Sequence, residues 1–368
     1  MKETFVCDVC HAEHPIDQQT LFDEQALCPT CLEEETTLCD HCGERIWRDD
    51  AQGNDNTTLC THCYDYEYTT CERCGALIRN SEAYYSDDNE DEPYCYECYE
   101  NVRHDRSIED YGYKPEPIFY GDGARYFGVE LEIDGAGEVD NHAKRILAEG
   151  NHLEGHIYCK HDGSLDDGFE IVTHPMTLDY HANQMPWPGI LHEAIAMGYT
   201  SHQAKTCGLH IHVNRNTFGT TEQEQDAPIA RVLYFFEKHW EELLKFSRRT
   251  EYQLKRWAAR YGYKDQPKEI LDHAKKGYGG GRYTCVNLTN YDTIEFRMFR
   301  GSLKLNTLIA TLQLVNQICD VAISLSDEEM TALSWTSFVE MVHQPELIQY
   351  LKERRLYINE AVESEVEI

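Results

Sequence analysis

Four short segments of this chain alternate apolar residues with carboxylates, imidazoles or guanidiniums. Glu130 and Glu132 interrupt Phe127, Val129, Leu131 and Ile133, and Glu170 lies between Phe169 and Ile171. His210 and His212 alternate with Leu209, Ile211 and Val213, and Glu295 and Arg297 with Ile294, Phe296 and Met298. Side chains on a β-strand point to opposite faces in turn, so each segment reads as a strand with one apolar and one charged face. If the four share a sheet, one surface gathers four carboxylates, two imidazoles and a guanidinium. Such a surface is costly to desolvate unless cations or an anionic ligand pair with it. Carboxylates with few thiolates select hard ions, so Mg²⁺ or Mn²⁺ is expected there.

The elements that position these strands lie after residue 120. Strands alternate with amphipathic helices to about residue 356, which predicts an α+β domain over 120–356. One helix is expected after Asp226 as N-cap, with Pro228 in its first turn and Ile229, Val232, Leu233, Phe236, Trp240, Leu243 and Leu244 as its stripe. A second is expected over 306–324. Both suit helices packed on the back of a sheet. Residues 101–119, with Pro115 and Pro117, read as a linker, and 357–368 as an acidic tail.

Residues 1–100 are of another kind. Six Cys-x-x-Cys pairs fall there, at Cys7/Cys10, Cys28/Cys31, Cys39/Cys42, Cys60/Cys63, Cys71/Cys74 and Cys95/Cys98. Alternate pairs recur every 32 residues, marking three copies of one unit at about 1–35, 36–67 and 68–100. Separations of 17, 17 and 20 residues between pairs are those of four-cysteine zinc sites. Three structural Zn²⁺ ions are therefore expected in zinc-ribbon or knuckle modules. The repeat phase favours sequential pairing, with an interleaved arrangement such as Cys28/Cys31 with Cys39/Cys42 as the alternative. His11, His14, His41 and His62 are read as bystanders, since four thiolates close a tetrahedral site.

The chain has a formal net charge of −33. Residues 1–100 hold 25 Asp and Glu against 5 Lys and Arg. That sign opposes phosphate backbones and anionic membranes, so nucleic acid is not the expected partner of the zinc array. A docking arm for a substrate or a protein partner fits better. No apolar run reads as a membrane span and the first residues lack the pattern of a signal peptide, so a cytoplasmic location is expected. The only strongly basic stretch is 245–282, with eleven Lys and Arg against four Asp and Glu around the run Gly277-Tyr-Gly-Gly-Gly281. It reads either as a mobile lid over phosphates or as a solvated helix and loop.

The order of the charged motifs resembles a known family. Gly128-Val-Glu-Leu-Glu-Ile133, Asp162-Gly-Ser164, Gly168-Phe-Glu-Ile-Val-Thr-His-Pro175, Gly208-Leu-His-Ile-His-Val213 and Thr293-Ile-Glu-Phe-Arg-Met-Phe-Arg300 are similar to the amidoligases. These belong to the carboxylate–amine ligase superfamily with glutamine synthetase and glutamate–cysteine ligase. The resemblance covers about 120–325 and leaves out the zinc repeats. It implies a glutamine-synthetase-like curved antiparallel sheet, ATP and two divalent ions. It also implies an amide or peptide bond formed through an acyl phosphate from amine and carboxylate substrates, peptides or proteins among them. By resemblance Glu130, Glu132, Glu170, His210 and Glu295 hold Mg²⁺, and His212, Arg297 and Arg300 meet phosphate. Arg282 in the basic stretch is a further candidate for ATP, and Asp162 and Ser164 for substrate. Cys159, Cys207, Cys285 and Cys319 read as buried small hydrophobes. Two rival readings use the same residues: a metal-dependent hydrolase, and an adaptor built on the zinc array with an inactive core.

Overall fold

Alternating strands need a sheet to share, and thiolate pairs need only a metal-sized gap. The chain divides accordingly into two units, Met1–Arg106 and Ser107–Ile368. In this computed structural model the described residues are 3–54, 56–86, 89–104, 106–276 and 281–357. Glycines 277, 279 and 280 of the basic stretch, and the tail from 358, lie outside them.

In the first unit the three copies repeat one order of elements. A hairpin (Thr4–Val6 with Glu13–Pro15) carries the first Cys-x-x-Cys turn, a second hairpin (Thr20–Phe22 with Gln25–Leu27) follows, and the second turn opens the helix Pro29–Glu35. The next copies run Thr36–Leu38, Arg45–Trp47, Gln52–Asn54, Thr57–Leu59 and helix Thr61–Glu67, then Tyr68–Thr70, Leu77–Arg79, Tyr84–Ser86, Asn89–Tyr94 and helix Tyr96–His104. Each copy buries little besides its cysteines: Phe5 and Leu27 in the first, Thr36 and Leu59 in the second and Tyr94 in the third.

The second unit is built on one sheet. Its strands are β1 (Ile108–Glu109), β2 (Phe127–Asp134), β3 (Ile157–Lys160), β4 (Gly168–Thr173), β5 (Gly208–Asn214), β6 (Val286–Asn287) and β7 (Thr293–Arg300). They lie in the order β1-β3-β4-β2-β5-β7-β6. Every pairing is antiparallel except β1 with β3. The strand Ile108–Glu109 thus belongs to the sheet, although its surroundings read as a linker.

The apolar faces all turn the same way. Val129, Leu131, Ile171, Leu209, Ile211, Ile294, Phe296 and Met298 are fully buried. Helices α1 (Asp140–Gly150), α2 (Trp187–Ala196), α3 (Glu222–Lys238), α4 (Trp240–Ser247), α5 (Leu305–Ser324) and α6 (Pro345–Glu353) complete this side. Phe236 of α3 packs on Phe296 with ring centroids 5.6 Å apart, and Phe246 of α4 on Phe299 at 6.0 Å. Helix α5 is long and apolar enough to cross a membrane by length and composition, but 78% of its apolar window is buried within the fold.

Helix α3 starts earlier than its Asp-Pro pair predicts. Thr221 and Glu224 form a reciprocal capping box that satisfies the first turn, leaving Asp226 and Pro228 inside the helix. Asp226 instead meets Lys275 Nζ at 2.7 Å. The expected stripe also spans two helices, because His239 breaks the helical geometry between α3 and α4.

Candidate active site

Register decides which charged residues meet. On β2, Glu130 lies opposite His210 of β5, and Glu132 opposite Glu170 of β4. His212 of β5 lies opposite Glu295 of β7, and Lys160 of β3 opposite Glu170. Paired residues point to the same face, so the four charged strand faces converge on one surface. His210 Nδ1 is 3.3 Å from Glu130 Oε2 and 3.7 Å from Glu295 Oε1, and its Nε2 is 3.6 Å from Glu132 Oε1. His212 Nε2 is 3.2 Å from Glu130 Oε1 but lacks the direction of a hydrogen bond, which leaves a buried nitrogen orphaned.

Two groups have the size of a metal site. Glu130, His212 and Glu295 each offer a donor atom within 4.8 Å of the others, and so do Glu130, Glu170 and His210. The charges around them are unevenly balanced. His212 and His210 overcome the effect of burial and hold Glu130 well below the carboxylate range. Glu295 is also lowered against burial, with His212, His210 and Arg297 favouring its charge. Glu170 is the reverse: burial and the charges of Glu130, Glu132 and Asp162 push it up to about 10, against the pull of Lys160. A divalent cation would supply the positive charge that Glu170 lacks. Oxygen and imidazole donors without thiolates fit Mg²⁺ or Mn²⁺.

Sequence patterning found these residues and missed their supports. Asn287 and Asn290 donate to Glu295 Oε2 at 2.8 and 3.2 Å, and Arg297 donates to Glu295 Oε1. Lys160 is buried with its Nζ 3.7 Å from Glu170 Oε2. A lone lysine or asparagine carries no period, so nothing in the sequence marked them. Gly208 explains itself only in space. A Cβ there would lie 2.6 Å from Arg249 Nη2 and 2.7 Å from His210 Nε2, while its backbone N–H donates to Glu132.

Strand β7 holds an irregularity that matters for Arg300. Leu209 pairs with Phe299 and Ile211 with Phe296, so two steps along β5 span three along β7. The bulge buries both Met298 and Phe299 and sets Arg300 opposite Gly208, on the charged face. Arg282 donates to the hydroxyls of Tyr111 and Tyr283 and stacks over both rings, and Lys160 Nζ lies 5.5 Å from the centre of the same Tyr111 ring. Asp162 accepts from the N–H of Ser164 at 2.7 Å, which closes a turn. Burial pushes the thiols of Cys159, Cys207, Cys285 and Cys319 up, as expected of inert cysteines.

The basic stretch does not act as one body. Lys275 pairs with Asp226, Arg256 stacks on Trp257, and Arg282 sits between tyrosines. Its first part reaches the charged face through Arg249, and Arg282 at its end shares the Tyr111 ring with Lys160.

In the first unit the cysteines cluster sequentially: Cys7, Cys10, Cys28 and Cys31; Cys39, Cys42, Cys60 and Cys63; Cys71, Cys74, Cys95 and Cys98. Sulfurs of the two turns approach to 4.0, 3.9 and 3.9 Å. A tetrahedral zinc with Zn–S near 2.3 Å sets its sulfurs about 3.8 Å apart, so the clusters fit zinc and not disulfides. Burial raises the thiols of Cys7, Cys39 and Cys71, yet backbone N–H donors outweigh it and hold each at about 6. His14 Nε2 lies 3.7 Å from Cys10 Sγ, outside the four-sulfur set.

Comparison with known proteins gives a family for the sheet unit. Residues 148–319 match the family model described as "Putative amidoligase enzyme". The match takes in Glu170, His210, His212, Glu295, Arg297 and Arg300. Glu130 and Glu132 precede it and join the amidoligase residues through the register of β2 with β4 and β5. No curated protein sequence matches the chain. Among solved structures, one titled "Apo GmaS without ligand" overlays with TM-score 0.36 and 14% identity, over 63% of this chain and 64% of that one. The complex of prokaryotic ubiquitin-like protein Pup with its ligase PafA overlays with TM-score 0.30 and 8% identity, over 62% and 57%. Glutamine synthetase from Plasmodium falciparum gives TM-score 0.35 and 12% identity, over 85% and 69%. The chain thus spans less than two thirds of the length of the first two.

Proposed function

We propose that this chain is an ATP-dependent carboxylate–amine ligase that forms an amide or peptide bond through an acyl phosphate. The observation that carries the reading is the meeting of Glu130, Glu170, His210 and Glu295 on one face that also presents Arg297 and Arg300. Glu130, Glu132, Glu170, His210 and Glu295 would hold divalent cations, which supply neutralisation of the nucleotide's phosphates. A carboxylate oxygen of the acid attacks the γ-phosphorus of ATP, and the bond to the ADP oxygen breaks. The amine nitrogen then attacks the acyl carbon, phosphate leaves, and the nitrogen gives up a proton. Neither step needs a protein nucleophile, which agrees with four buried, inert cysteines. Arg297 and Arg300 act by neutralising the transferring phosphoryl group. Arg297 is oriented by Glu295, and Lys160 orients Glu170. The zinc array serves as an acidic docking arm for a protein partner or substrate.

Glu130→Gln tests this reading. The variant is expected to lose Mg²⁺–ATP turnover to ADP, by at least about 10³-fold, with its thermal midpoint little changed. ADP formation at the wild-type rate would overturn the site assignment. Amide formation without ATP consumption would overturn the ligase reading in favour of hydrolytic chemistry run in reverse.

A further inference from the structure

The start of the basic stretch builds a pocket of about 680 Å³ beside the charged face. Lys245, Arg248, Arg249, Arg300 and Arg354 line it, and Glu241 is the one carboxylate in that lining. The cations come from separate elements: α4 and its C-terminal cap, the end of β7, and the residue that ends α6. Arg248, at the cap, takes the left-handed conformation with φ 60°.

None of these cations forms a close ion pair with a carboxylate among the described residues: Arg248 meets the Tyr350 side chain and favours the charge of Glu353 from a distance, and the hydrogen bonds of the other four go to backbone carbonyls. Arg249 donates to Cys207 O at 3.2 Å, Arg300 to Arg248 O at 3.3 Å, Arg354 to Lys245 O at 2.9 Å, and Lys245 to Arg355 O at 3.1 Å. Arg300 Nε is buried with no partner. Like charges gathered this closely repel one another, and the neighbouring His202 registers it: burial together with Arg248, Arg300 and Arg354 pushes it down to about 4. In a chain of net charge −33, five cations around one cavity need an anion to offset them.

Arg249 reaches from the pocket lining toward the metal-sized cluster. Arg249 Nη2 occupies the space that a side chain at position 208 would fill, next to Glu132 and His210. A single phosphate would engage one or two of these cations at once. Their spread over three elements suits a ligand whose negative charges are themselves separated.

We propose that this pocket binds an oligocarboxylate, a molecule or peptide segment with two or more carboxylates, and that this is the acid the enzyme activates. One carboxylate meets Arg249 beside Glu132 and His210, at the edge of the metal face, while the others stay with Arg248 and Arg354. That the ligand is the acid substrate rests on the ligase reading; that the pocket binds oligocarboxylates does not.

The test is titration calorimetry on the full zinc-loaded chain with triglutamate, with tricarballylate and with Mg²⁺–ATP, each alone. Arg248→Gln and Arg354→Gln are each expected to weaken triglutamate or tricarballylate about tenfold, as loss of a charged hydrogen bond does, and to change Mg²⁺–ATP less than about twofold. Glu241→Gln should tighten the carboxylate ligand, a gain that a misfolded variant cannot give. Preference for triglutamate marks a peptide substrate, and preference for tricarballylate a small one. The proposal is overturned if neither probe binds the wild type, if the arginine variants bind it unchanged, or if they lose Mg²⁺–ATP equally. Binding in the pocket with no ADP formed under any condition would leave the pocket standing and remove the ligase reading.

Discussion

Both units of this chain crowd like charges together, thiolates in one and carboxylates in the other, but they hold them by opposite means. In the zinc unit each set of four sulfurs comes from two short turns of one repeat, and the buried residues around Cys39, Cys60 and Cys63 include only Leu59. There four sulfurs at metal-site spacing stand where a core would be. In the sheet unit the donors come from positions as far apart as Glu130 and Glu295, and a large apolar core brings them together before any ion arrives. The lesson is that local spacing suffices when the ion does the folding, whereas distant residues need a fold that can bear their repulsion. Zinc sites are accordingly readable residue by residue, and the carboxylate face only through its register.

Chelating zinc should break that contrast most strongly. Structural zinc contributes on the order of 10 kcal/mol to small domains, so residues 3–104 should unfold and become protease-sensitive while 107–357 resist. Limited proteolysis with and without a zinc chelator checks this, and parallel loss of both units would contradict it. Next in size, Phe296→Ala should destabilise the sheet unit by about 3–5 kcal/mol, because the ring is fully buried against Phe236. Zinc content per chain should stay the same in that variant.

The pH response of the sheet unit sharpens the point about repulsion. Glu170 keeps its proton to about pH 10 when folded, while an unfolded glutamate loses it near pH 4.3. The folded state therefore binds more protons between those values, and the contribution of Glu170 to stability falls as pH rises. In magnesium-free buffer the thermal midpoint should decline from pH 5 to 9 more steeply than in Glu170→Gln, and Mg²⁺ should flatten the slope. An identical slope in wild type and Glu170→Gln would argue against this charge balance. The smallest effect belongs to a zinc turn. Gly43 has φ 75° with open space around its missing Cβ, so Gly43→Ala should cost about 1 kcal/mol through backbone strain alone. His11 holds the equivalent place in the first repeat at φ 56°, which shows that the strain is tolerable. A competition titration should read about fivefold weaker zinc binding to the second repeat.

Much of the site was legible in the sequence because period-two alternation is a strong local signal. It placed Glu130, Glu132, Glu170, His210, His212, Glu295 and Arg297 on one face, where register now puts them. The start of α3 was misread because Asp-Pro and Thr-x-x-Glu are both start signals, and the reciprocal capping box satisfies more backbone donors. Charge grouped Arg282 with the phosphate-binding candidates, and charge does not show the two tyrosines that orient it or the ring it shares with Lys160. Lys160 and Asn287 could not be found, since each acts through a residue distant in sequence, and Arg249 was legible as part of the basic stretch but not by its place in the gap at Gly208.

The bulge in β7 gives the strand two reading frames. Up to Arg297 odd-numbered residues speak to the charged face, and after Phe299 even-numbered ones do, much as an inserted nucleotide shifts every codon behind it. Deleting one residue between 297 and 299 would remove the bulge and leave Arg300 on the charged face, whereas pairing every residue of the strand in regular alternation would turn Arg300 into the apolar layer and leave Glu295 where it is. The pocket and the metal face are thus in phase only because the sheet absorbs one surplus residue, and a relative with the same spacing but no bulge would keep every carboxylate while losing the arginine that links the two.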